Sequence, residues 1–182
     1  MKVIAISGKA GSGKDTVAGM IQKLLAEQWK SCRIIHYADL LKFICRKYFN
    51  WDGKKDERGR ALLQYVGTDV VRAKNPDYWV NFVADTLDFF GERWDFVLIP
   101  DVRFPNELMR LRERGFEVEY LRVERPGYNN GLTTAQKAHT SETAMDYIQP
   151  DSVILNSGSL DYLEQAVKIW TEEHIYGKEE TV

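Results

Sequence analysis

Gly8, Gly13 and Lys14, within the run "GKAGSGKDT" (residues 8–16), have the types and spacing of a loop that wraps a phosphate. Glycine allows the tight turn and removes the Cβ atoms that would block approach. The backbone N–H groups of Lys9, Ala10, Gly11, Ser12, Gly13, Lys14, Asp15 and Thr16 can then converge on phosphate oxygens, and the Lys14 ammonium adds a full charge. A helix that starts at this point contributes the partial positive charge of its N-terminus. One position departs from the usual pattern. Asp15 stands where a Ser or Thr normally binds magnesium, and Thr16 follows one place later. A carboxylate so close to phosphates is expected to point away or to act through metal-bound water, while Thr16 can donate to a phosphate oxygen.

A second group of charged residues lies in "IPDVRFPNE" (99–107). Asp101 either holds magnesium through water or caps the next helix. Arg103 either grips a phosphate or makes a surface ion pair. Tyr37, Asp39 and Lys42 follow another strand, Arg72 ends a helical stretch, and Arg122 and Arg125 bracket the end of a fourth strand. Lys137 lies in the loop beyond. "HTSE" (139–142) reads as a helix cap or as a direct participant.

The elements that must carry these residues follow from periodicity. "KVIAIS" (2–7), "RIIHY" (33–37), "FVLI" (96–99), 117–123 and "SVILN" (152–156) read as strands. Helical spacing covers 14–28, with Val17, Ile21, Leu24 and Leu25 inward, then 40–49, and 60–72 with Leu62, Leu63, Val66 and Val70 inward. Asn75-Pro76 opens a further helix, with Trp79, Phe82, Val83, Thr86 and Phe90 as its core stripe and Gly91 as its end. Pro105 starts another that Gly115 closes. Ser159 caps the last, with Leu160, Leu163, Val167 and Trp170 inward. Residues 51–60 and 126–140 read as loops, the second a mobile one, and the tail "GKEETV" as frayed. Strands alternating with helices imply a mainly parallel sheet covered on both faces. Ligands then bind beyond the carboxyl ends of the strands, where Asp101, Arg103, Asp39 and Lys42 are delivered.

At 182 residues the chain is expected to be one domain, and its 44% hydrophobic and 29% charged content is that of an ordinary globular protein. A net charge of −2 gives no global field for nucleic acid or an anionic membrane. No stretch reaches membrane-spanning length, and no signal sequence is visible. Cys32 and Cys45 match no zinc spacing and read as reduced thiols, which places the chain in the cytoplasm.

Four stretches carry a resemblance: "GKAGSGKDT", "LLQYVGTDVVRAKNPDYWV", "IPDVRFPNE", and "HTSE" followed by "ILNSGSLDYL". In this order the chain resembles the P-loop nucleoside monophosphate kinases, and specifically the deoxynucleoside monophosphate kinases of bacteriophages and bacteria. The resemblance implies a P-loop NTPase fold of the α/β class: a five-stranded parallel sheet with helices on both faces, a monophosphate-binding helical region at about 39–90 and a short lid at about 126–140. It implies phosphoryl transfer from ATP to a deoxynucleoside monophosphate, with Mg2+. Gly8–Thr16 match the ATP phosphate loop. Asp39, Lys42, Gln64, Arg72, Trp79, Asp101, Arg103 and Glu107 fall on the monophosphate side, and Arg125 at the lid root. Asn156 and Ser157 lie where such kinases pass their backbone beside the adenine. Lys14, Asp101, Arg103 and Arg125 become the catalytic candidates, with Thr16 and, through water, Asp101 toward the metal. Small-molecule substrates are the expected partners, and a dimer is compatible with the sequence. Because "GKDT" is shared with phosphomevalonate kinases, a kinase for a non-nucleotide phosphate acceptor stays open, as does an ATP-binding regulator without transfer.

Overall fold

The computed structural model describes residues 1–177, so the expectation for the tail falls almost entirely outside the described residues. Strands β1 (Lys2–Ser7), β2 (Cys32–Ile34), β3 (Phe96–Val102), β4 (Glu117–Glu124) and β5 (Ser152–Leu155) form one parallel sheet in the order β2-β3-β1-β4-β5. Alternation along β1 sends Ile4 and Ile6 to one face and Val3 and Ala5 to the other. On the first face they meet Val17, Ile21 and Leu25 of α1 (Lys14–Glu27) and Leu163, Val167 and Trp170 of α8 (Leu160–Thr171). On the second they meet Val80, Val83 and Leu87 of α4 (Tyr78–Phe90) and Leu108 and Leu111 of α5 (Pro105–Glu113). Both faces are covered, which is why β1 and β3 read as unbroken apolar runs. No helix among the described residues is long and apolar enough to cross a membrane.

The register of β1 on β3 breaks next to the phosphate loop. Ala5 pairs with Ile99, but Ser7 pairs with Val102, so β3 carries one extra residue at Pro100-Asp101. Proline has no N–H to give the ladder, and a bulge of this kind bends the strand and re-aims the side chain beside it. Asp101 is the side chain re-aimed.

Four expectations are corrected. The stretch expected as one helix over 60–72 is α3 (Glu57–Gln64), capped by Asp56 accepting from Gly59 N at 2.8 Å, followed by π-helical turns over Tyr65–Arg72. The wider turns shift the inward face by one residue, so Val71 rather than Val70 joins Val66 in packing on Cys45 and Trp51. In α4, Phe82 and Phe90 are 45% and 50% exposed, and the buried stripe is Trp79, Val80, Val83, Ala84 and Leu87. Small and β-branched side chains let this helix close onto the sheet where two phenylalanine rings would hold it off. Leu160, at the first turn of α8, is 59% exposed. The 126–140 segment contains α6 (Thr134–Ala138), held by reciprocal hydrogen bonds between Thr133 and Gln136.

Candidate active site

The phosphate loop leaves β1 at Ser7 and enters α1 at Lys14. Gly8 has φ 146°, and a Cβ there would stand 2.3 Å from the Val123 carbonyl oxygen. Gly13 has φ 99°, and a Cβ there would stand 2.7 Å from Asn156 Nδ2. Both positions therefore require glycine. Lys14 is buried and its Nζ donates to the Gly8 and Lys9 carbonyl oxygens at 2.8 and 2.9 Å, which fixes the ammonium inside the loop. Burial, with Arg103 nearby, lowers its pKa to about 8. The Ser12 hydroxyl is buried with no hydrogen-bond partner among the described residues. Asp15 does point away: its carboxylate lies 2.8 Å from His36 Nε2. That hydrogen bond lowers the Asp15 pKa and raises that of His36. Thr16 is exposed at the start of α1.

Opposite the loop, Asp101 resolves toward capping. Its Oδ1 accepts from Tyr37 N at 3.0 Å and its Oδ2 from Ala38 N at 2.9 Å, at the start of α2 (Ala38–Tyr48). Burial raises its pKa against those two bonds. Glu107 is buried and gathers Arg103 N at 2.6 Å, Phe104 N at 3.0 Å and Arg72 Nη2 at 2.7 Å. Burial pushes its pKa up to about 7 against the pull of Arg72. Arg72 also donates from Nη1 to the Pro76 carbonyl and lies with its guanidinium carbon 3.9 Å from the Phe104 ring centre, while its Nε is buried with no hydrogen-bond partner among the described residues. Arg103 is bound differently. Its Nη1 donates to the Glu142 carboxylate and to the Ser141 carbonyl, while Nε and Nη2 donate to no protein group among the described residues.

Two clefts flank this wall. One, about 460 Å³, runs from Ser7 and Lys9 past Arg125 to Tyr128 and Asp146. The other, about 400 Å³, brings Lys14 and Asp15 together with Lys42, Gln64, Arg72, Trp79, Asp101, Arg103 and Glu107. Most of the expected monophosphate side is therefore assembled in one place. Asp39 lines neither cleft; it pairs with Lys42 at 3.0 Å. Trp79 is buried and fixes the π-helical turns through Nε1 to the Gly67 carbonyl at 3.0 Å. Asn156 is buried beneath the phosphate loop, donating from Nδ2 to the Ser12 carbonyl at 2.9 Å, and Ser157 is exposed beyond it. Arg125 donates to the Gly11 carbonyl at 3.3 Å and stacks 4.0 Å over the Tyr128 ring. Lys137 is exposed and lines neither cleft. In "HTSE" the cap is His139, whose ring nitrogen accepts from Ser141 N at 3.2 Å.

Three participants had no clear signal in the sequence: His36, Tyr128 and Glu142. His36 sat inside a strand pattern and Tyr128 inside a turn-rich loop. Glu142 lies in "HTSE", which reads as a helix cap or as a direct participant, with nothing to single out the glutamate or its partners.

Solved structures place the fold. The APS kinase of Mycobacterium tuberculosis, in complex with AMPPNP and APS, superposes with a TM-score of 0.55 at 16% identity, over 94% of this chain and 97% of that one. A gluconokinase from Sinorhizobium meliloti 1021 superposes with a TM-score of 0.54 at 12% identity, over 97% of each chain. At such identities the likeness concerns the fold alone, and it is that of the P-loop kinases. The family model for deoxynucleotide monophosphate kinase matches residues 35–167, and the chain belongs to that family. The deoxynucleotide monophosphate kinase of Enterobacteria phage T4 is 36% identical over 112 residues, 60% of this chain and 43% of that protein. The chain thus matches less than half the length of the phage protein. These matches favour the nucleotide branch over phosphomevalonate kinases.

Proposed function

We propose that the protein transfers the γ-phosphoryl group of ATP to a deoxynucleoside 5′-monophosphate, giving ADP and the diphosphate. The observation that carries this reading is that Lys14, in its phosphate loop, and Arg103 line one cleft together with Gln64 and Trp79. Phosphoryl transfer demands in-line positioning and neutralisation of charge more than covalent help. In this reading the loop amides and Lys14 take the β- and γ-phosphates, and the buried Ser12 hydroxyl finds its partner there. The uncommitted donors of Arg103 hold the acceptor phosphate. Arg72 fixes Glu107 and through it the backbone of Arg103. Arg125, at the root of the 126–140 lid, closes over the donor.

Magnesium fits this donor set as a metal carried by phosphates. Among the described residues no group of three or more His, Cys, Asp or Glu is placed to hold a metal. Asp15 is taken up by His36 and both Asp101 oxygens already accept a backbone N–H, which leaves the Thr16 hydroxyl as a direct ligand and only the remaining lone pairs of Asp101 for a metal-bound water. A hard cation that keeps several waters and takes its other ligands from substrate needs no more. Bound there, it would offset charge on the triphosphate.

The test is a panel of common deoxy- and ribonucleoside monophosphates with coupled detection of ADP. Turnover on at least one deoxynucleotide is expected, and Lys14→Ala should abolish it while the thermal melt stays near that of the parent. Absence of turnover on every monophosphate, with ATP still bound, would instead identify a non-catalytic binder.

A further inference from the structure

The partition between the two clefts is built by one side chain. Ala10, Arg103, Ser141 and Glu142 line both cavities. Glu142 joins them: Oε2 accepts from Ala10 N at 3.0 Å, inside the phosphate loop, and Oε1 accepts from Arg103 Nη1. The Glu142 side chain is 9% exposed, so its charge is held by these partners rather than by water. The short helix α7 (Thr140–Thr143) that carries it is itself clamped by the same loop. Lys9 Nζ donates to the Glu142 carbonyl and to Asp146 Oδ2, the latter at 2.7 Å. Ser141 adds its carbonyl to Arg103 Nη1 at 3.2 Å. A guanidinium on a flexible stem is thus anchored by one nitrogen and left with two donating positions uncommitted.

We propose that Glu142 is a positioning residue for phosphoryl transfer: its carboxylate sets Arg103 against the phosphate loop, so that the acceptor's phosphate is presented in line with the donor's. This rests on the kinase reading above. Glu142 touches neither substrate; it acts through Arg103 on one side and Ala10 on the other. Glutamine at this position can still accept from Ala10 N through its single oxygen. It then turns an NH2 group toward Arg103, donor against donor. Glu142→Gln should therefore release Arg103 alone, and Glu142→Ala should release both.

The expected pattern is a split. Glu142→Gln weakens the acceptor Kd about tenfold and lowers kcat about 100-fold, the scale of loss that accompanies misplacement by an ångström. Its Kd for ATP stays within about threefold. Glu142→Ala weakens ATP as well, and Glu142→Asp, which keeps the charge, recovers part of the acceptor affinity. In an Arg103→Lys background the glutamine substitution should cost little more, because the group it acts through is already changed. A residue that only holds the fold would lower the melting temperature without this split. Acceptor Kd and kcat within twofold of the parent in Glu142→Gln, or the same further loss in both backgrounds, overturn the proposal. If Glu142→Gln fails to fold, Glu142→Asp against the parent reads the same split. NMR relaxation of the Arg103 Nε–H group needs no substrate: it should be rigid in the parent and mobile in the glutamine variant, and equal order in both refutes the tie. No turnover by the parent on any monophosphate would refute the kinase reading, while the NMR comparison still decides on Glu142.

Discussion

Gly13→Ala tests whether the phosphate loop is held from beneath. Two costs follow from the structure. At φ 99° an L-residue is strained by about 1–2 kcal/mol. The new Cβ also lies 2.7 Å from Asn156 Nδ2, so the amide must move and its 2.9 Å bond to the buried Ser12 carbonyl is lost. A buried carbonyl left without its donor costs about 1–3 kcal/mol. The sum is about 2–5 kcal/mol. For a domain of this size that lowers Tm by about 4–20 °C. Asn156→Ala loses the same bond without the strain and should cost about 1–3 kcal/mol. The double variant then carries the strain and one lost bond, not two. Urea unfolding of the four proteins, followed by tryptophan fluorescence, measures each term. The two single losses should exceed the double loss by about 1–3 kcal/mol. Additivity to within about 0.5 kcal/mol would mean that Gly13 and Asn156 are independent, and the strut would be refuted.

Four further outcomes are expected. With its pKa lowered to about 8, Lys14 in the ligand-free protein is about nine-tenths charged at pH 7 and about one-tenth at pH 9. The charged form binds phosphate, so ATP affinity should fall about tenfold over that interval. Binding at pH 8.5 should take up protons in calorimetry with buffers of different ionisation enthalpy; a flat Kd across the range would contradict the assignment. The same depressed pKa makes the folded state gain on the unfolded one as pH rises from about 8 toward 10.5, since the fold gives up the Lys14 proton first. Glu107→Gln keeps one oxygen for Arg103 N and Phe104 N but turns its NH2 group toward Arg72, leaving that guanidinium buried without its counter-charge, and should cost about 3–5 kcal/mol in urea unfolding at a pH well above the Glu107 pKa of about 7. Cys32, whose thiol burial pushes up to about 12, and the buried Cys45 should react with Ellman's reagent at pH 8 only after unfolding, and prompt labelling of the native protein would contradict their burial.

How much of this was legible depends on the range of the interaction. The sheet, its two covered faces and the phosphate loop are local patterns: β-branched runs, helical spacing, and glycines at positions where a Cβ would strike Val123 or Asn156. The positions of Asp101, Arg103 and Glu107 beyond β3 follow from the same logic, because a parallel sheet delivers what succeeds its strands to one edge. The side-chain partners do not follow. Whether Asp101 faces a metal or a helix N-terminus turns on the bulge at Pro100, which re-aims it toward Tyr37 and Ala38, more than sixty residues away in sequence. The phase of α4 is not set by its own sequence, because two overlapping stripes satisfy a period of 3.6. The choice between Phe82 and Ala84 is made by the sheet, not the helix.

The ties that make the site a single object reach far along the chain. Asn156 reaches Ser12 across 144 residues and Glu142 reaches Ala10 across 132. Each closes a long loop of the polypeptide onto the phosphate loop, and each uses a residue type common on surfaces, so composition and spacing leave no mark of it. Geometry gives both the same task. A loop made permissive by glycine is conformationally loose unless something outside it fixes its carbonyls and amides. Asn156 fixes a carbonyl from below, and Glu142 fixes an amide from the side while carrying Arg103. The glycines that allow the loop to approach a phosphate are the reason it needs these distant struts. Variants of the struts should therefore disturb the site more than variants of the solvent-facing residues within it.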